Sequence, residues 1–176
     1  MGSRTKRNMA TVGGNIALRR TDSYLYPTLI ASHAVLELMD AKGEVSERCV
    51  CCYLKHYDEL KDCLIVSVSV PQKASVVSKR YANTVQSHAV LTVSLGEVEG
   101  KIRVGVAAQT AALKSLCDIS DALSQKDLSD EEIRKMIEAD KDLRFGSDIF
   151  GSPEYKRYLL AVTISDLAKK VKGGKR

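Results

Sequence analysis

The sequence is poor in the residue types on which several functions depend. Its 176 residues include no tryptophan, two phenylalanines and three histidines. Binding of nucleic-acid bases uses stacked aromatic rings, so that function is poorly supported. No apolar run approaches the roughly 20 residues needed to span a membrane. The basic N-terminus has no apolar segment behind it and does not resemble a secretory signal, so we expect a cytoplasmic protein.

Motifs for self-sufficient catalysis are also missing. His33, His56 and His88 are scattered without the spacing of a zinc site, and no P-loop, G-x-G-x-x-G or G-x-S-x-G pattern occurs. His88 follows Ser87, but adjacent residues of a strand point to opposite faces. We therefore predict no catalytic residue and no metal site, and any reaction would depend on a bound cofactor.

The five cysteines are odd in number, and Cys49, Cys51 and Cys52 cluster. On a strand, Cys49 and Cys51 would share one face. Structural zinc sites use two spaced pairs, and iron–sulfur sites have other spacings. The pattern favours reduced, partly buried cysteines in a reducing compartment over a metal cluster.

The net charge of +5 is concentrated at the two ends of the chain. The basic residues that produce it are Arg4, Lys6, Arg7, Arg19 and Arg20 at one end, and Lys169, Lys170, Lys172, Lys175 and Arg176 at the other. The remainder is net negative, whereas a nucleic-acid-binding domain usually has a basic stripe across its folded face. We expect no nucleic-acid partner.

The order of predicted elements indicates an α+β fold, since strands are followed by helices rather than alternating with them. Pro71 ends the first group, and three strands restart the pattern after it. The predicted helices are 24–34, 110–124, 130–139 and 153–171, and the predicted strands are 35–40, 48–54, 63–70, 75–82, 89–97 and 101–107. The predicted domains are 1–72, 73–172 with a three-stranded antiparallel sheet and three helices, and a disordered tail, 173–176.

Two helix starts have specific signals. Ser129 and Glu132 form a capping box, in which each side chain bonds to the other residue's backbone N–H. Ser152 is an N-cap before Pro153, a residue favoured at the first helical position. The expected inner side of the last helix consists of Tyr155, Leu159, Val162, Leu167 and Val171.

A Gly-Gly segment near the N-terminus is the main candidate for ligand binding. Its residues are Ala10, Thr11, Val12, Gly13, Gly14 and Asn15. Adjacent glycines let a backbone approach a ligand closely, and successive N–H groups can form a nest for phosphate oxygens. The alternative is an ordinary helix-entry turn, since short glycine motifs often match by chance.

The segment Arg7-Asn8-Met9-Ala10-Thr11-Val12-Gly13-Gly14-Asn15-Ile16 resembles the second flavin-binding loop of the FAD subunit of molybdenum hydroxylases, the family of xanthine dehydrogenase and carbon monoxide dehydrogenase. The stretch Ala31-Ser32-His33-Ala34 and the later Val70-Pro71 are similar to that family as well. The last helix entry, Asp148-Ile149-Phe150-Gly151-Ser152-Pro153-Glu154-Tyr155-Lys156, resembles a helix entry in that family's C-terminal domain, so the resemblance covers nearly the whole chain.

The resemblance implies that residues 10–15 contact the phosphates and ribose side of FAD. It also implies two further contacts. Asp22 stands in for an acidic residue at the next helix, although the family's Ser-Asp pair is inverted here, with Tyr24 where the Asp is expected. Lys79 matches by position a lysine that approaches the flavin, and Asn83 departs from an arginine common nearby.

The function implied is electron relay between iron–sulfur clusters and NAD through FAD, in a complex with a molybdopterin-binding subunit and a 2Fe-2S subunit. A homo-oligomer is also allowed. The family's FAD domain begins with another glycine-rich loop that this sequence does not contain, so we expect the isolated chain to bind FAD weakly or not at all and to be inactive. The alternative is a non-catalytic module that docks on partner subunits without cofactor.

Overall fold

Two antiparallel sheets organise the chain. The computed structural model describes residues 4–84, 87–109 and 113–173, apart from the side chains of residues 4, 6 and 7. The helices are α1 Arg4–Met9, α2 Val12–Ala17, α3 Leu25–Ala31, α4 Val50–Lys55, α5 Tyr57–Leu60, α6 Cys117–Gln125, α7 Asp130–Ala139 and α8 Pro153–Gly173. The strands are β1 Val35–Met39, β2 Val45–Cys49, β3 Leu64–Ser69, β4 Ser75–Tyr81, β5 Leu91–Val98, β6 Lys101–Ala108 and β7 Leu113–Ser115.

The first sheet has the strand order β2-β1-β3. The strand predicted at 63–70 is present as β3, but its simple alternation is not. A bulge opposite Glu37 and Leu38 pairs them with Ser67 and Ile65, so Val66 has no partner in the register. Because one extra residue reverses the side-chain alternation, Ile65 and Val68 both pack on the core while Val66 is exposed.

The strand predicted at 48–54 is wrong. β2 is the more polar segment Val45–Cys49, and α4 starts directly after it. The N–H of Val50 donates to the carbonyl of Ala34 at 3.1 Å. Val50 and Tyr53 are both buried, a three-residue spacing that suits one face of a helix. The cysteine cluster therefore lies at a strand-to-helix junction.

The second sheet has the order β4-β5-β6-β7, with four strands where three were predicted. Its central hairpin turns at Glu99 and Gly100, which both have positive φ as a type I′ turn requires. The fourth strand, Leu113–Ser115, lies within the segment 110–124 that was predicted to be a helix. Residue 110, where that helix was predicted to begin, lies outside the described residues. Gly105 and Ala107 pair with Ser115 and Leu113, so the helix starts only at Cys117.

Helix α3 packs directly on the second sheet, through a face made of small residues. A Cβ on Gly96 would lie 2.4 Å from the carbonyl oxygen of Ala31, and one on Gly105 would lie 2.5 Å from that of Pro27. The hydroxyls of Thr28 and Ser94 lie 3.4 Å apart at the same contact. Only glycine at these two strand positions allows the helix backbone to come this close.

Helices α6, α7 and α8 cover the opposite face of the second sheet. The core there includes Leu91, Val93, Leu95, Val104, Val106, Ile119, Leu123, Ile133, Ile137, Leu160 and Ile164. The predicted capping box at Ser129 is complete, with both reciprocal hydrogen bonds formed. The predicted inner side of α8 is correct at Leu167 and Val171 and wrong at Tyr155 and Val162, which are exposed.

The rotation of α8 is set by a buried lysine. The ammonium of Lys156 lies 2.6 Å from a carboxylate oxygen of Asp148 and donates to the carbonyl of Gly146 at 2.7 Å. The same carboxylate accepts the N–H of Phe150 at 2.9 Å. The Asp148-to-Lys156 motif is therefore a structural one, which fastens the loop at 146–151 to the helix.

The predicted α+β class is confirmed, with the second sheet packed against three helices. The predicted disordered tail lies outside the described residues except for Gly173, which is the last residue of α8. Among the described residues, no helix combines the length and hydrophobicity needed to cross a membrane.

Candidate functional site: the Gly-Gly segment and its surroundings

The Gly-Gly segment forms the first turn of α2 rather than an open loop. The Thr11 hydroxyl caps this helix by accepting the N–H of Gly14 at 3.0 Å, and the N–H of Asn15 bonds to the Thr11 carbonyl. The first amides of a helix have no acceptor within it, which leaves those of Val12 and Gly13 directed outward. The segment is thus a helix-entry turn, and it also presents N–H groups for an anion.

The turn is held from below by Ile16 and Tyr26. Ile16 is fully buried, and the Tyr26 hydroxyl donates to its carbonyl oxygen. Burial raises the pKa of Tyr26, so its hydroxyl keeps the proton that it donates. α2 therefore has a fixed position on α3 although the outer residues of the turn are exposed.

The two glycines differ in what surrounds them. A Cβ on Gly13 would face Ile65 at 3.8 Å, an ordinary van der Waals distance. A Cβ on Gly14 would lie 2.9 Å from the Thr11 hydroxyl and meet nothing else within 4 Å, so it would sit at the exposed capping end. Nothing within the described chain requires residue 13 to be glycine, whereas a Cβ on residue 14 would make the Thr11 hydroxyl shift.

Asp22 lies in a closed arrangement of charged groups. Its side chain is 9% exposed, and Arg20 donates to both carboxylate oxygens at 2.8 Å. His88 Nδ1 lies 2.6 Å from one of these oxygens. The hydrogen bonds from Arg20 lower the pKa of Asp22, outweighing burial, which raises it. The carboxylate is ionised and already occupied by partners from the chain itself.

Side chains near Asp22 also join the start of α3 to the connection between β4 and β5. The Tyr24 hydroxyl and the Arg80 guanidinium both donate to the carbonyl oxygen of Ser87. The guanidinium carbon of Arg80 also lies 4.6 Å from the centre of the Tyr24 ring. Ser23 caps α3 through its hydroxyl, which accepts the N–H groups of Leu25 and Tyr26. Arg80, rather than Lys79, therefore lies on the Asp22 side.

Lys79 points to the other face of the second sheet. Its ammonium lies 3.8 Å from a carboxylate oxygen of Asp166 on α8 and 5.4 Å from the centre of the Tyr81 ring. Consecutive residues of a strand face opposite ways, so Lys79 and Arg80 cannot both face α3. Within the described residues, neither Lys79 nor Asp22 hydrogen-bonds to residues 10–15, and the structure does not bring the three predicted contacts together.

The basic residues that follow the turn have partners inside the chain. Arg19 stacks on Tyr57, with its guanidinium carbon 3.8 Å from the ring centre. Arg20 pairs with Asp22, as described above. The other basic residues predicted to flank the turn, at positions 4, 6 and 7, have side chains outside the described part. Among the described groups, positive charge at the turn comes first from its own amides.

The turn itself fits a diphosphate group such as that of FAD. It offers two outward amides, an exposed Asn15 side chain and a glycine whose Cβ would fill the exposed end. Asp22 and Lys79 have their own partners, so neither side chain is free to reach the exposed end of the turn. No cluster of three or more histidine, cysteine or acidic side chains that could hold a metal ion occurs in the described residues.

Comparison with known proteins shows which family this part of the chain resembles. Residues 1–73 match the model described as the FAD binding domain in molybdopterin dehydrogenase. The resemblance drawn from the sequence is confirmed for this part of the chain.

The similarity to individual proteins extends beyond residue 73. The uncharacterized protein YgfM of Escherichia coli strain K12 is 30% identical over 175 residues, covering 94% of this chain and 60% of that protein. A chain of quinoline 2-oxidoreductase from Pseudomonas putida 86 has a TM-score of 0.73 at 20% identity, covering 99% of this chain and 64% of that one. A chain of carbon monoxide dehydrogenase from Oligotropha carboxidovorans has a TM-score of 0.74 at 16% identity, covering 98% and 64%. The likeness to the solved structures concerns the fold, and the chain spans less than two thirds of these relatives.

Several partners in this site escaped the sequence interpretation. Arg20 and Tyr24 converge with Arg80 and His88 on Asp22 and Ser87, although the two pairs are more than 50 residues apart in sequence. A local pattern cannot signal such a contact. In the sequence, the one sign of this arrangement was the closeness of Arg20 and Asp22, because residues two apart at a turn can form an ion pair.

Proposed function

We propose that the chain is part of the FAD subunit of a molybdenum hydroxylase and that the first turn of α2 holds the FAD diphosphate. The observation that carries the proposal is the family match over residues 1–73, which includes this exposed turn. The amides of Val12 and Gly13 and the side chain of Asn15 would donate to phosphate oxygens. FAD supplies one- and two-electron redox chemistry when bound, and these residues bind and orient it.

The finer features of the proposal come from the resemblance. They are electron relay between iron–sulfur clusters and NAD, a xanthine-dehydrogenase-like assembly with a molybdopterin-binding subunit and a 2Fe-2S subunit, and a cytoplasmic location. The assignments of Asp22 and Lys79 as FAD contacts also stay proposals. Asp22 would act indirectly, since Arg20 and His88 occupy its oxygens, and would position the segment that leads into α3.

A fluorescence titration of FAD with the chain tests the diphosphate site. We expect saturable quenching with a dissociation constant no tighter than the micromolar range, that is, a binding free energy of about −8 kcal/mol or weaker. Gly14→Ala places a methyl group at the exposed end and should weaken binding at least tenfold. Gly173→Ala is the control, because a Cβ there meets nothing within 4 Å, and it should bind as the wild type does.

Two results would contradict the site. One is equal affinity of the Gly14→Ala and wild-type chains, with circular dichroism confirming that both are folded. The other is the absence of saturation up to about 1 mM FAD, a limit that corresponds to about −4 kcal/mol. The second result would favour the other candidate function, a module that docks on partner subunits without cofactor.

The docking function has an observation of its own. Leu64 and Val66 on β3 and Val70 just after it are 65%, 46% and 51% exposed, and Val45 is exposed on β2 of the same sheet. Contiguous exposed apolar side chains are typical of surfaces that meet another protein. Co-purification with a molybdopterin-binding subunit, lost on Val66→Lys, together with no quenching of FAD fluorescence by the wild-type chain, would support this function over FAD binding.

A further inference from the structure

The clustered cysteines separate into a pair and a single residue. Cys49 is the last residue of β2, and Cys52 lies one helical turn further on in α4. Cys51 points elsewhere, with its sulfur 4.0 Å from Nη1 of Arg103 on β6. All of these cysteines are thiols in the structure. The pair Cys49 and Cys52 has no role in the turn proposed to hold FAD.

The two sulfur atoms of the pair are in direct contact. Sγ of Cys49 lies 2.7 Å from Sγ of Cys52 and accepts the backbone N–H of Cys52 at 3.1 Å. A disulfide bond needs a separation of about 2.05 Å, so only a small movement is required to form one. Cys52 is exposed and Cys49 half-buried, which leaves the pair open to small molecules.

The surroundings favour ionisation of one thiol over the other. Burial raises the pKa of Cys49, but its contacts with the thiol and amide of Cys52, together with Arg103, lower it by more. Cys52 has a raised pKa, chiefly because of its contact with the Cys49 sulfur. Since the thiolate is the reactive form, Cys49 is the nucleophile and Cys52 retains its proton for the second step.

We propose that Cys49 and Cys52 form a redox-active dithiol site that reacts with low-molecular-weight disulfides such as glutathione disulfide. The product is an intramolecular disulfide between the end of β2 and the first turn of α4. The site is separate from the Gly-Gly turn, and its chemistry does not depend on FAD.

The reaction proceeds by two thiol–disulfide exchanges. The Cys49 thiolate attacks one sulfur of the small disulfide, whose S–S bond breaks as a mixed disulfide forms and one thiolate leaves. Cys52 then loses its proton to the solvent, and its thiolate attacks the sulfur of Cys49. The mixed S–S bond breaks and the second small thiolate leaves. The two cysteine sulfurs lose two electrons, the small disulfide gains them, and both released thiolates take up protons.

Alkylation mass spectrometry of the full chain tests the proposal. The reduced protein is equilibrated with glutathione and its disulfide, quenched in acid, alkylated with N-ethylmaleimide and digested with trypsin. Cleavage after Arg48 and Lys55 gives a peptide of residues 49–55 that contains three cysteines. We expect three alkyl groups on this peptide from reduced protein and one from oxidised protein, with the mass of two hydrogens lost.

Variants assign the bond. Cys51→Ser should still lose two alkylation sites on oxidation, since Cys51 lies outside the pair. Cys52→Ser should instead accumulate a mixed disulfide on Cys49, since no second thiol resolves it. Near-ultraviolet circular dichroism of each reduced variant verifies folding, and the wild-type chain in urea shows whether pairing depends on the fold.

The outcomes divide clearly. Loss of the disulfide in Cys51→Ser, a stable mixed disulfide on wild-type Cys49, or unchanged alkylation at every glutathione ratio would each overturn the proposal. Retention in Cys51→Ser together with a mixed disulfide in Cys52→Ser supports it. Equal disulfide formation by the urea-unfolded chain would also overturn it, because the folded contact would then contribute nothing.

Discussion

The two sheets differ in how completely the chain covers them. In the second sheet, β5 is buried from Leu91 to Gly96, because α3 covers one face and α6, α7 and α8 cover the other. In the first sheet, every residue of β3 is exposed or only half-buried, and Leu64 and Val66 point outward. The second sheet is therefore held by its own layers, while the first leaves one face open, on which Leu64 and Val66 are exposed. The proposed FAD turn and the dithiol pair both lie in the less covered region.

The contact between α3 and the second sheet should be the most sensitive part of the molecule. Gly105→Ala would place a Cβ 2.5 Å from the carbonyl oxygen of Pro27, and both atoms belong to rigid backbone. We expect a loss of about 4 kcal/mol in the free energy of unfolding, measured by urea denaturation. Gly13→Ala in the first region should change it by less than about 1 kcal/mol, because its Cβ has room. Comparable losses in the two variants would remove the distinction between the regions.

Lys156→Met should give the next largest effect. The Lys156 side chain is 1% exposed, and its removal leaves the Asp148 carboxylate without the cation that faces it. Breaking such a pair at one partner costs about 3–5 kcal/mol in the free energy of unfolding. Asp148→Asn in the same background should recover part of the loss, since it removes the unpaired charge.

The pH dependence of that loss has a defined sign. Burial raises the pKa of Asp148, but the hydrogen bonds from Lys156 and the Phe150 amide lower it by more. A carboxyl group whose pKa is lower in the folded than in the unfolded state stabilises the folded state fully at a pH above its unfolded-state pKa. This contribution is lost as the pH falls through the folded-state pKa. The difference between wild type and Lys156→Met should therefore shrink in acid. A difference that grows would contradict the pair.

The fold was more predictable from sequence in the covered region than in the open one. The hairpin at Gly100, the capping box at Ser129 and the start of α8 at Ser152 all have local causes, in turn geometry and helix capping, and all were predicted. The cysteine run at 49–52 was assigned to a strand because a short apolar run suits either structure. The helix buries Val50 and Tyr53 in the core formed with α3 and β1, a tertiary contact that no local pattern shows.

The candidate site divides in the same way. Thr11 and Gly14 are neighbours in sequence, so their chemistry could be recognised as a turn that suits phosphate. The closed arrangement around Asp22 depends on His88, which tertiary folding alone brings within 2.6 Å. The bulge at Val66 is similar, because its register is set by β1 rather than by its own residues.

Asp22→Asn should have a moderate effect that is specific to the junction between the regions. It removes a bidentate charged pair with Arg20, but Arg20 is 55% exposed and solvent screens the interaction. We expect a loss of about 1 kcal/mol in the free energy of unfolding at neutral pH. Because the pKa of Asp22 is lowered on folding, the two proteins should converge as the pH falls through it. The exposed Asp121→Asn serves as the control, and a pH-independent loss would argue against the pair.

Leu64→Ser should have the smallest effect on stability. Leu64 is 65% exposed, so the substitution removes little buried apolar area and should change the free energy of unfolding by less than about 0.5 kcal/mol. The same change at Leu95, which is fully buried in the second sheet, should cost about 3 kcal/mol or more. A loss above 1 kcal/mol for Leu64→Ser would mean that this face is covered in solution, for example by a second copy of the chain. Repeating the urea denaturation across a range of protein concentrations would then separate the two cases, because only a covered face makes the transition depend on concentration.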